Sequence, residues 1–118
     1  MRCLIVDDSA DFRDAATDML GRAGGIDVVG VACTGEEALA RYADLHPDVT
    51  LVDVELGGES GFDVVERLHG ADGPAPSVIL ISTHSEQDYA EMIAESSALG
   101  FLAKFALSPT AIRTMVGR

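Results

Sequence analysis

Short apolar segments recur along the chain, and most of them are apolar at every position instead of at alternate positions. This pattern is typical of strands that are covered on both faces, as in a parallel sheet flanked by helices. We predict five such strands, at residues 2–6, 27–32, 49–52, 78–81 and 100–103. Helices are expected in the longer intervals between them.

The intervals carry the three- and four-residue apolar spacing of amphipathic helices. In the first interval Phe12, Ala16 and Leu20 form the apolar stripe, and Ser9 precedes it as an N-cap. Each later helix follows its own capping pattern: Thr34 with Glu37, Ser60 with Asp63, Ser85 with Asp88, and Ser108 before Pro109. The sequence therefore predicts an α/β fold, (βα)5, with a doubly wound five-stranded parallel sheet.

Length, composition and charge argue against several classes of protein. A length of 118 residues fits one domain, and 47% hydrophobic with 24% charged residues is ordinary for a globular protein. The formal net charge of -12 repels phosphate backbones and anionic lipid, so we expect no direct nucleic-acid binding and no membrane binding. Cys3 and Cys33 form no CxxC pair and are predicted to be buried thiols in adjacent strands. With no long apolar stretch, a cytoplasmic location is expected.

Polar residues follow four of the predicted strands where each strand ends. Asp7 and Asp8 follow the first strand, Asp53 the third, Ser82 the fourth and Lys104 the fifth. The carboxyl ends of parallel strands meet at one edge of the sheet, where ligands bind in doubly wound folds. Three carboxylates crowded there would repel one another unless a cation joined them, and hard oxygen ligands suit Mg2+. The sequence predicts a divalent-ion site at this edge.

Each of these residues has an ordinary structural explanation when taken singly. An aspartate pair after a strand is commonly a solvated loop, a lysine near a strand end is commonly exposed, and Asp53 could simply end its strand. Their joint placement at the ends of the correct strands favours the functional interpretation.

The order of Asp7, Asp8, Asp53, Ser82 and Lys104 over five βα units resembles the receiver domain of bacterial two-component response regulators, over essentially all of residues 1–118. The resemblance implies a flavodoxin-like sheet with strand order 2-1-3-4-5. It also implies that Asp53 is the phosphoacceptor and that Ser82 and Lys104 are the conserved hydroxyl and lysine. By the same resemblance, Asp8, Asp53 and the backbone carbonyl of Glu55 bind Mg2+ or Mn2+ directly, Asp7 acts through water, and Phe101 is the switch aromatic.

The resemblance also implies a partner and a reaction. A sensor histidine kinase would donate a phosphoryl group to Asp53, and the domain would catalyse its own phosphorylation and dephosphorylation without being a conventional turnover enzyme. Ser82 would then move, Phe101 would turn inward, and the face made by the fourth helix, the fifth strand and the fifth helix would change. The alternative is that Phe101 is simply a core residue, and because phenylalanine has no hydroxyl to leave unsatisfied, an inward ring is expected to be favoured even before phosphorylation. A second copy of the chain, in a homodimer, is a further candidate partner.

The sequence departs from the family pattern in places. Phe105 follows Lys104 where proline is usual, so we expect a trans bond there. Gly57 and Gly58 replace the usual proline after the phosphorylation site, which should loosen that loop. Glu55 and His84, two residues past Asp53 and Ser82, are candidates for tuning the lifetime of the phosphate, with exposed loop residues as the equal alternative.

Three other functions remain as alternatives. The first is a phosphorylation-independent interaction module on the same fold. The second is a flavin-binding electron carrier, which lacks support because no phosphate loop follows the first strand. The third is a hydrolase with Asp8, Ser82 and His84, which no nucleophile elbow accompanies.

The segment from Gly30 to Leu39 and the segment from Gly100 to Lys104 resemble receivers of the NarL/FixJ class. That resemblance implies transcriptional control through a C-terminal helix-turn-helix domain that is not in this chain. The sequence leaves open whether the chain is an excised receiver or one that acts alone.

Overall fold

A computed structural model describes residues 1–23, 25–71 and 73–117. Five parallel strands form one sheet: β1 (Arg2–Val6), β2 (Asp27–Ala32), β3 (Val49–Asp53), β4 (Val78–Ser82) and β5 (Gly100–Ala103). Their order in the sheet is β2-β1-β3-β4-β5, which confirms the expected 2-1-3-4-5 order. Strands β3 and β4 each extend one residue beyond the predicted end, so that Asp53 and Ser82 belong to the sheet.

Five helices connect or follow these strands: α1 (Ala10–Ala23), α2 (Gly35–Leu45), α3 (Gly61–His69), α4 (Ala90–Glu95) and α5 (Pro109–Val116). Short 3-10 turns at Glu86–Tyr89 and Lys104–Ala106 precede α4 and follow β5. In the described parts of the chain, no helix is long and apolar enough to cross a membrane.

Alternate residues of the central strands point to opposite faces of the sheet and create two apolar layers. On one face Ile5, Leu51 and Ile79 pack with α1 and α5 through Leu20 and Ile112. On the other face a second cluster joins the sheet to α2, α3 and α4, and its members include Leu4, Val52, Leu80, Ala38, Val65, Leu68 and the partly buried Ile93. Coverage of both faces explains why the strand segments are apolar throughout.

The predicted caps are present, with two differences in detail. The side chains of Thr34 and Ser108 accept backbone hydrogen bonds three residues ahead, from Glu37 and Ala111. The Glu37 carboxylate, however, accepts from the backbone N–H of Cys33 and not from that of Thr34, so the capping box is shifted by one residue. The Ser60 hydroxyl accepts from Phe62, one residue earlier than a capping box requires.

A short hairpin follows β3 and was not predicted. Glu55–Leu56 pairs with Glu59–Ser60 in antiparallel fashion around Gly57 and Gly58. Gly57 adopts a left-handed φ of 55°, which glycine accepts without the steric cost that a Cβ brings. Two-residue strands have no periodic signal, so the sequence pattern could not indicate them.

Candidate functional site

Strand β1 delivers a buried acid to the carboxyl edge of the sheet. The N–H of Asp7 continues the pairing with β2 by donating to the Ala32 carbonyl at 2.9 Å. The Asp7 side chain has no exposed surface, and its Oδ1 accepts from the Ser9 N–H at 2.9 Å, just before α1 begins. Asp8 follows and is exposed. The Asp7 carboxylate is therefore fixed below the surface, and the Asp8 carboxylate is accessible to solvent.

Strand β3 ends on Asp53, which is 7% exposed. Its Oδ1 accepts a hydrogen bond from the Glu55 N–H at 3.1 Å, which restrains the carboxylate. At Gly61, which opens α3, a Cβ would collide with the Asp53 carbonyl, so a glycine allows the helix to start this close to the strand end. The local backbone is thus built tightly around Asp53.

Asp7, Asp8 and Asp53 converge, with one carboxylate oxygen of each lying within 4.8 Å of the others. Burial raises the pKa of the Asp53 carboxyl, and the charge of Asp7 raises it further. The Glu55 N–H and the Lys104 ammonium oppose that rise. The sequence grouped these acids correctly from the ends of two adjacent strands.

Lys104, the chain's single lysine, lies between the buried acids. Its Nζ is 2.7 Å from Asp7 Oδ2 and 3.3 Å from Asp53 Oδ2, and it stands 4.3 Å from the centroid of the Phe12 ring. Burial alone would lower the pKa of Lys104, but the hydrogen bond to Asp7 and the charges of Asp53 and Asp7 raise it. The described backbone contains no cis peptide, so Lys104 reaches both acids with a trans bond to Phe105.

The donor set fits a divalent cation. All three side chains offer carboxylate oxygens, which are hard ligands of the kind that Mg2+ and Mn2+ take. One ammonium compensates only one of the negative charges gathered there, and the exposed position of Asp8 leaves a route from solvent. A hypothetical Cβ at Gly57 would come within 3.0 Å of Asp8 Oδ2, so the glycine keeps the hairpin close to this acid.

Ser82 ends β4, the strand next to β3, whereas Phe101 lies further back on β5 among apolar residues. Ser82 is 2% exposed, and its Oγ accepts a hydrogen bond from the His84 N–H at 3.0 Å. Phe101 is 6% exposed and pairs with Leu80 across the sheet. In this structure the Ser82 hydroxyl is therefore engaged by the following loop, and Phe101 already lies inside.

Glu55 and His84 face each other at the rim, with Glu55 Oε1 3.5 Å from His84 Nδ1. Sequence reasoning missed the third member of this group. The Tyr89 hydroxyl donates to Glu55 Oε1 at 2.7 Å and lies 3.5 Å from His84 Nδ1. By apolar spacing, Tyr89 fits the buried stripe of the expected fourth helix, which gives it no role at the site. Its hydroxyl, which needs a partner when the ring packs inward, is the signal that could have pointed to one.

The structure also tests the hydrolase alternative and the predictions for the two cysteines. The hydrolase alternative is not supported, because the Ser82 hydroxyl accepts from the backbone of His84 while the His84 ring faces Glu55 and Tyr89. Cys3 is buried and its pKa is raised to about 12 by burial. The prediction for Cys33 was wrong, since this residue lies just beyond β2 and is partly exposed.

Comparisons with known proteins agree with this geometry. The model of the response regulator receiver domain family matches residues 3–116. A protein-glutamate methylesterase/protein-glutamine glutaminase of Myxococcus xanthus is 36% identical over 97% of this chain, and response regulator GacA of Pseudomonas viridiflava is 33% identical over 88%. The match spans 32% and 48% of those two relatives, so the chain is much shorter than either.

Solved structures show the same likeness. The signal receiver domain of a NarL response regulator from Mycobacterium tuberculosis superposes with a TM-score of 0.84 at 30% identity, over 99% of this chain and 97% of that one. The response regulator domain of Thermotoga maritima CheB superposes with a TM-score of 0.77 at 27% identity, over 98% of this chain and 87% of the CheB domain. From the family match, the relatives and the shared fold, the chain belongs to the response regulator receiver domains.

Proposed function

We propose that Asp53 accepts a phosphoryl group and that this event operates the domain as a signalling switch. The observation that carries the proposal is the placement of the Asp53 carboxylate between two further acids and the Lys104 ammonium, at the edge of the sheet where ligands bind. The family supports a two-component role, and the donor is proposed to be a phosphohistidine of a sensor histidine kinase.

The transfer needs positioning and charge compensation more than it needs acid–base chemistry. An Asp53 oxygen forms a bond to phosphorus while the bond between phosphorus and the histidine nitrogen of the donor breaks. Lys104 supplies an ammonium next to the incoming group, and Ser82 supplies a hydroxyl. Because Lys104 contacts Asp7 more closely than Asp53, its ammonium must turn from Asp7 toward the phosphoryl oxygens.

Asp7, Asp8, Asp53 and the backbone carbonyl of Glu55 would hold Mg2+ or Mn2+. When bound, the ion would offset the negative charge shared by the carboxylates and the phosphoryl group. This assignment rests on the oxygen donors and on the excess of carboxylates over ammonium groups at the site.

The same atoms suggest how the switch operates. Ser82 Oγ accepts from the N–H of His84 and would donate its own hydrogen to a phosphoryl oxygen, so movement of Ser82 toward that oxygen would also displace the loop leading to α4. Phe101 is already buried, so this loop, and not an inward turn of the aromatic ring, would pass the change to the face formed by α4, β5 and α5.

The output is proposed to be transcription, through a DNA-binding domain outside this chain, or a homodimer formed on the switched face. Relatives named as methylesterases make an attached enzyme domain a second candidate. The acidic charge of this domain supports leaving any DNA contact to another domain.

Thermal unfolding with and without Mg2+ and beryllofluoride tests the proposal, together with mass spectrometry after incubation with acetyl phosphate. For an ion of millimolar affinity, a tenfold excess should add about 1.4 kcal/mol of stability. Asp53→Asn should abolish both the beryllofluoride response and the mass increase of one PO3 group, whereas Asp14→Asn, an exposed acid on α1, should retain both. If the wild type gains neither stability nor mass, the phosphorylation-independent interaction module becomes the better interpretation.

A further inference from the structure

Three side chains from three separate segments meet at the rim of the site. Glu55 belongs to the hairpin after β3, His84 to the loop after β4, and Tyr89 to the 3-10 turn before α4. The Tyr89 hydroxyl donates to Glu55 Oε1 at 2.7 Å, and His84 Nδ1 lies 3.5 Å from both oxygens. We call these three side chains the rim bridge.

Packing of its ring fixes where the Tyr89 hydroxyl lies. The ring centroid is 6.0 Å from that of Phe62 on α3 and 6.4 Å from that of Phe101 on β5. The His84 ring meets it edge-on at 6.1 Å. These are ordinary separations for favourable aromatic pairs. Tyr89 is thus anchored in the core by its ring while its hydroxyl reaches the rim.

Both other members of the rim bridge connect directly to the residues that would hold the phosphoryl group. The backbone N–H of Glu55 donates to Asp53 Oδ1 at 3.1 Å, and the backbone N–H of His84 donates to Ser82 Oγ at 3.0 Å. The side chains of Glu55 and His84, which lie 3.5 Å apart, therefore extend from backbone groups that contact Asp53 and Ser82. A hydrolytic water that enters between these two side chains would meet the rim bridge before it reached the phosphoryl group.

We propose that Tyr89 is a positioning residue, which holds the Glu55 carboxylate beside His84 and so slows hydrolysis of the phosphoryl group on Asp53. The inference rests on the proposed function and deepens it. In the hydrolysis a water oxygen forms a bond to phosphorus as the bond from phosphorus to Asp53 breaks. Asp53 leaves as a carboxylate, and the inorganic phosphate keeps both hydrogens of the water.

The size of the effect follows from the hydrogen bond that closes the rim bridge. If water enters when the bridge is open, the hydrolysis rate scales with the open population. Loss of one such hydrogen bond should raise that population, and therefore the rate, about fivefold, which corresponds to roughly 1 kcal/mol.

Tyr89→Phe is the direct test, because it removes the hydroxyl and keeps the ring that packs on Phe62 and Phe101. The protein is phosphorylated with acetyl phosphate, the donor is removed, and the first-order loss of the PO3 group is followed by mass spectrometry. We expect about fivefold faster loss, and a melting temperature lower by only a few degrees, so that the variant stays folded during the measurement. Tyr42→Phe, at the chain's other tyrosine, on α2, is the matched control and should hydrolyse like the wild type.

A double-mutant cycle separates bridging from a general structural effect. Glu55→Ala removes the acceptor of the same hydrogen bond, so Tyr89→Phe should add nothing to its rate. A wild-type rate in Tyr89→Phe, or additive effects of the two substitutions, would overturn the role of Tyr89 while leaving phosphorylation of Asp53 intact. Absence of phosphorylation in the wild type would overturn the proposed function and this inference together.

Discussion

The Nζ atom of Lys104 lies 2.7 Å from Oδ2 of Asp7, a carboxylate with no exposed surface. The Arg13 guanidinium donates to the backbone carbonyl of Asp7, but Lys104 is the cation paired with its carboxylate. A buried carboxylate that loses its paired cation is costly in a poorly solvated position. The pair therefore links stability to the proposed function, because the ammonium that would contact the phosphoryl group on Asp53 also neutralises the acids around it.

Lys104→Met should weaken both properties. In EDTA we expect the free energy of unfolding to fall by about 3 kcal/mol, since Asp7 is left unpaired, and labelling by acetyl phosphate to fall more than about tenfold. Added Mg2+ should restore part of the stability, because a divalent ion replaces the missing positive charge. Urea unfolding with EDTA or Mg2+ and mass spectrometry provide the two measurements.

Lys104→Arg is the companion variant, as it keeps the charge in a planar group of different shape. It should lose less stability than Lys104→Met. Equal losses in the two variants would show that packing of the aliphatic stem, and not the charge, gives Lys104 its contribution.

Gly57→Ala should be more harmful than the same substitution at the neighbouring glycine. An alanine at position 57 would have to keep the left-handed φ of 55°, and its Cβ would lie 3.0 Å from Asp8 Oδ2. A Cβ at Gly58 would meet no atom within 4 Å. We expect Gly57→Ala to cost about 1–2 kcal/mol of stability and to weaken Mg2+ binding. Urea unfolding and Mg2+ titration measure the two effects, and similar results for Gly58→Ala would contradict the argument.

The sheet and the cluster of acids could be predicted from sequence because both follow from local pattern and chain direction. Apolar segments indicated strands such as β4, and parallel connection placed Asp7 and Asp53 at one edge whatever the details of the helices. The family resemblance assigned a role to Lys104 as well, but strand order alone does not place it against the acids. Strands β1 and β3 are adjacent, whereas β5 is separated from β3 by β4, so the contacts of Lys104 depend on the reach of its long side chain.

The rim of the site could not be predicted in this way. Its geometry depends on the hairpin of two-residue strands, Glu55–Leu56 and Glu59–Ser60, and on a 3-10 turn that replaces the first turn of the expected fourth helix. Both are too short to leave a periodic signal. The hydrogen bond from Tyr89 to Glu55 spans 34 positions, and no spacing rule connects residues at that separation.

Cys33 offers a reactivity test of the region between β2 and α2. Its Sγ lies 3.1 Å from Glu37 Oε1, and this hydrogen bond is the main cause of a raised pKa for the Cys33 thiol. Because the thiolate is the reactive form, Glu37→Ala should speed alkylation of Cys33 by iodoacetamide several-fold at pH 8. Mass spectrometry of the digested protein measures the alkylation of each cysteine separately.

Two controls accompany this experiment. Cys3 is buried and should stay unmodified in every folded variant. Glu36→Ala removes the adjacent acid of the same helical turn and should leave the Cys33 rate close to that of the wild type. Equal acceleration by the two substitutions would mean that general charge, and not the hydrogen bond to Glu37, controls the thiol.

Glu66 links α3 to the segment before β5. Its carboxylate accepts from the backbone N–H of Ser97 at 2.9 Å and from the hydroxyl at 2.8 Å. These bonds, the backbone bond first, lower the pKa of the Glu66 carboxyl. A carboxyl whose pKa is lower in the folded state adds stability above its unfolded pKa, near 4.3, and that stability is lost as pH falls through the folded value.

Glu66→Gln should therefore be less stable than the wild type at pH 7, by less than about 1 kcal/mol because the side chain is exposed. The difference should shrink as the pH is lowered from about 5 to below the folded pKa of Glu66, where the wild-type carboxyl is also neutral. Urea unfolding of both proteins over this range measures it. Asp63→Asn removes one charge from the same helix, and a pH dependence of equal size and sign in that variant would show that net charge, and not the contact with Ser97, causes the effect.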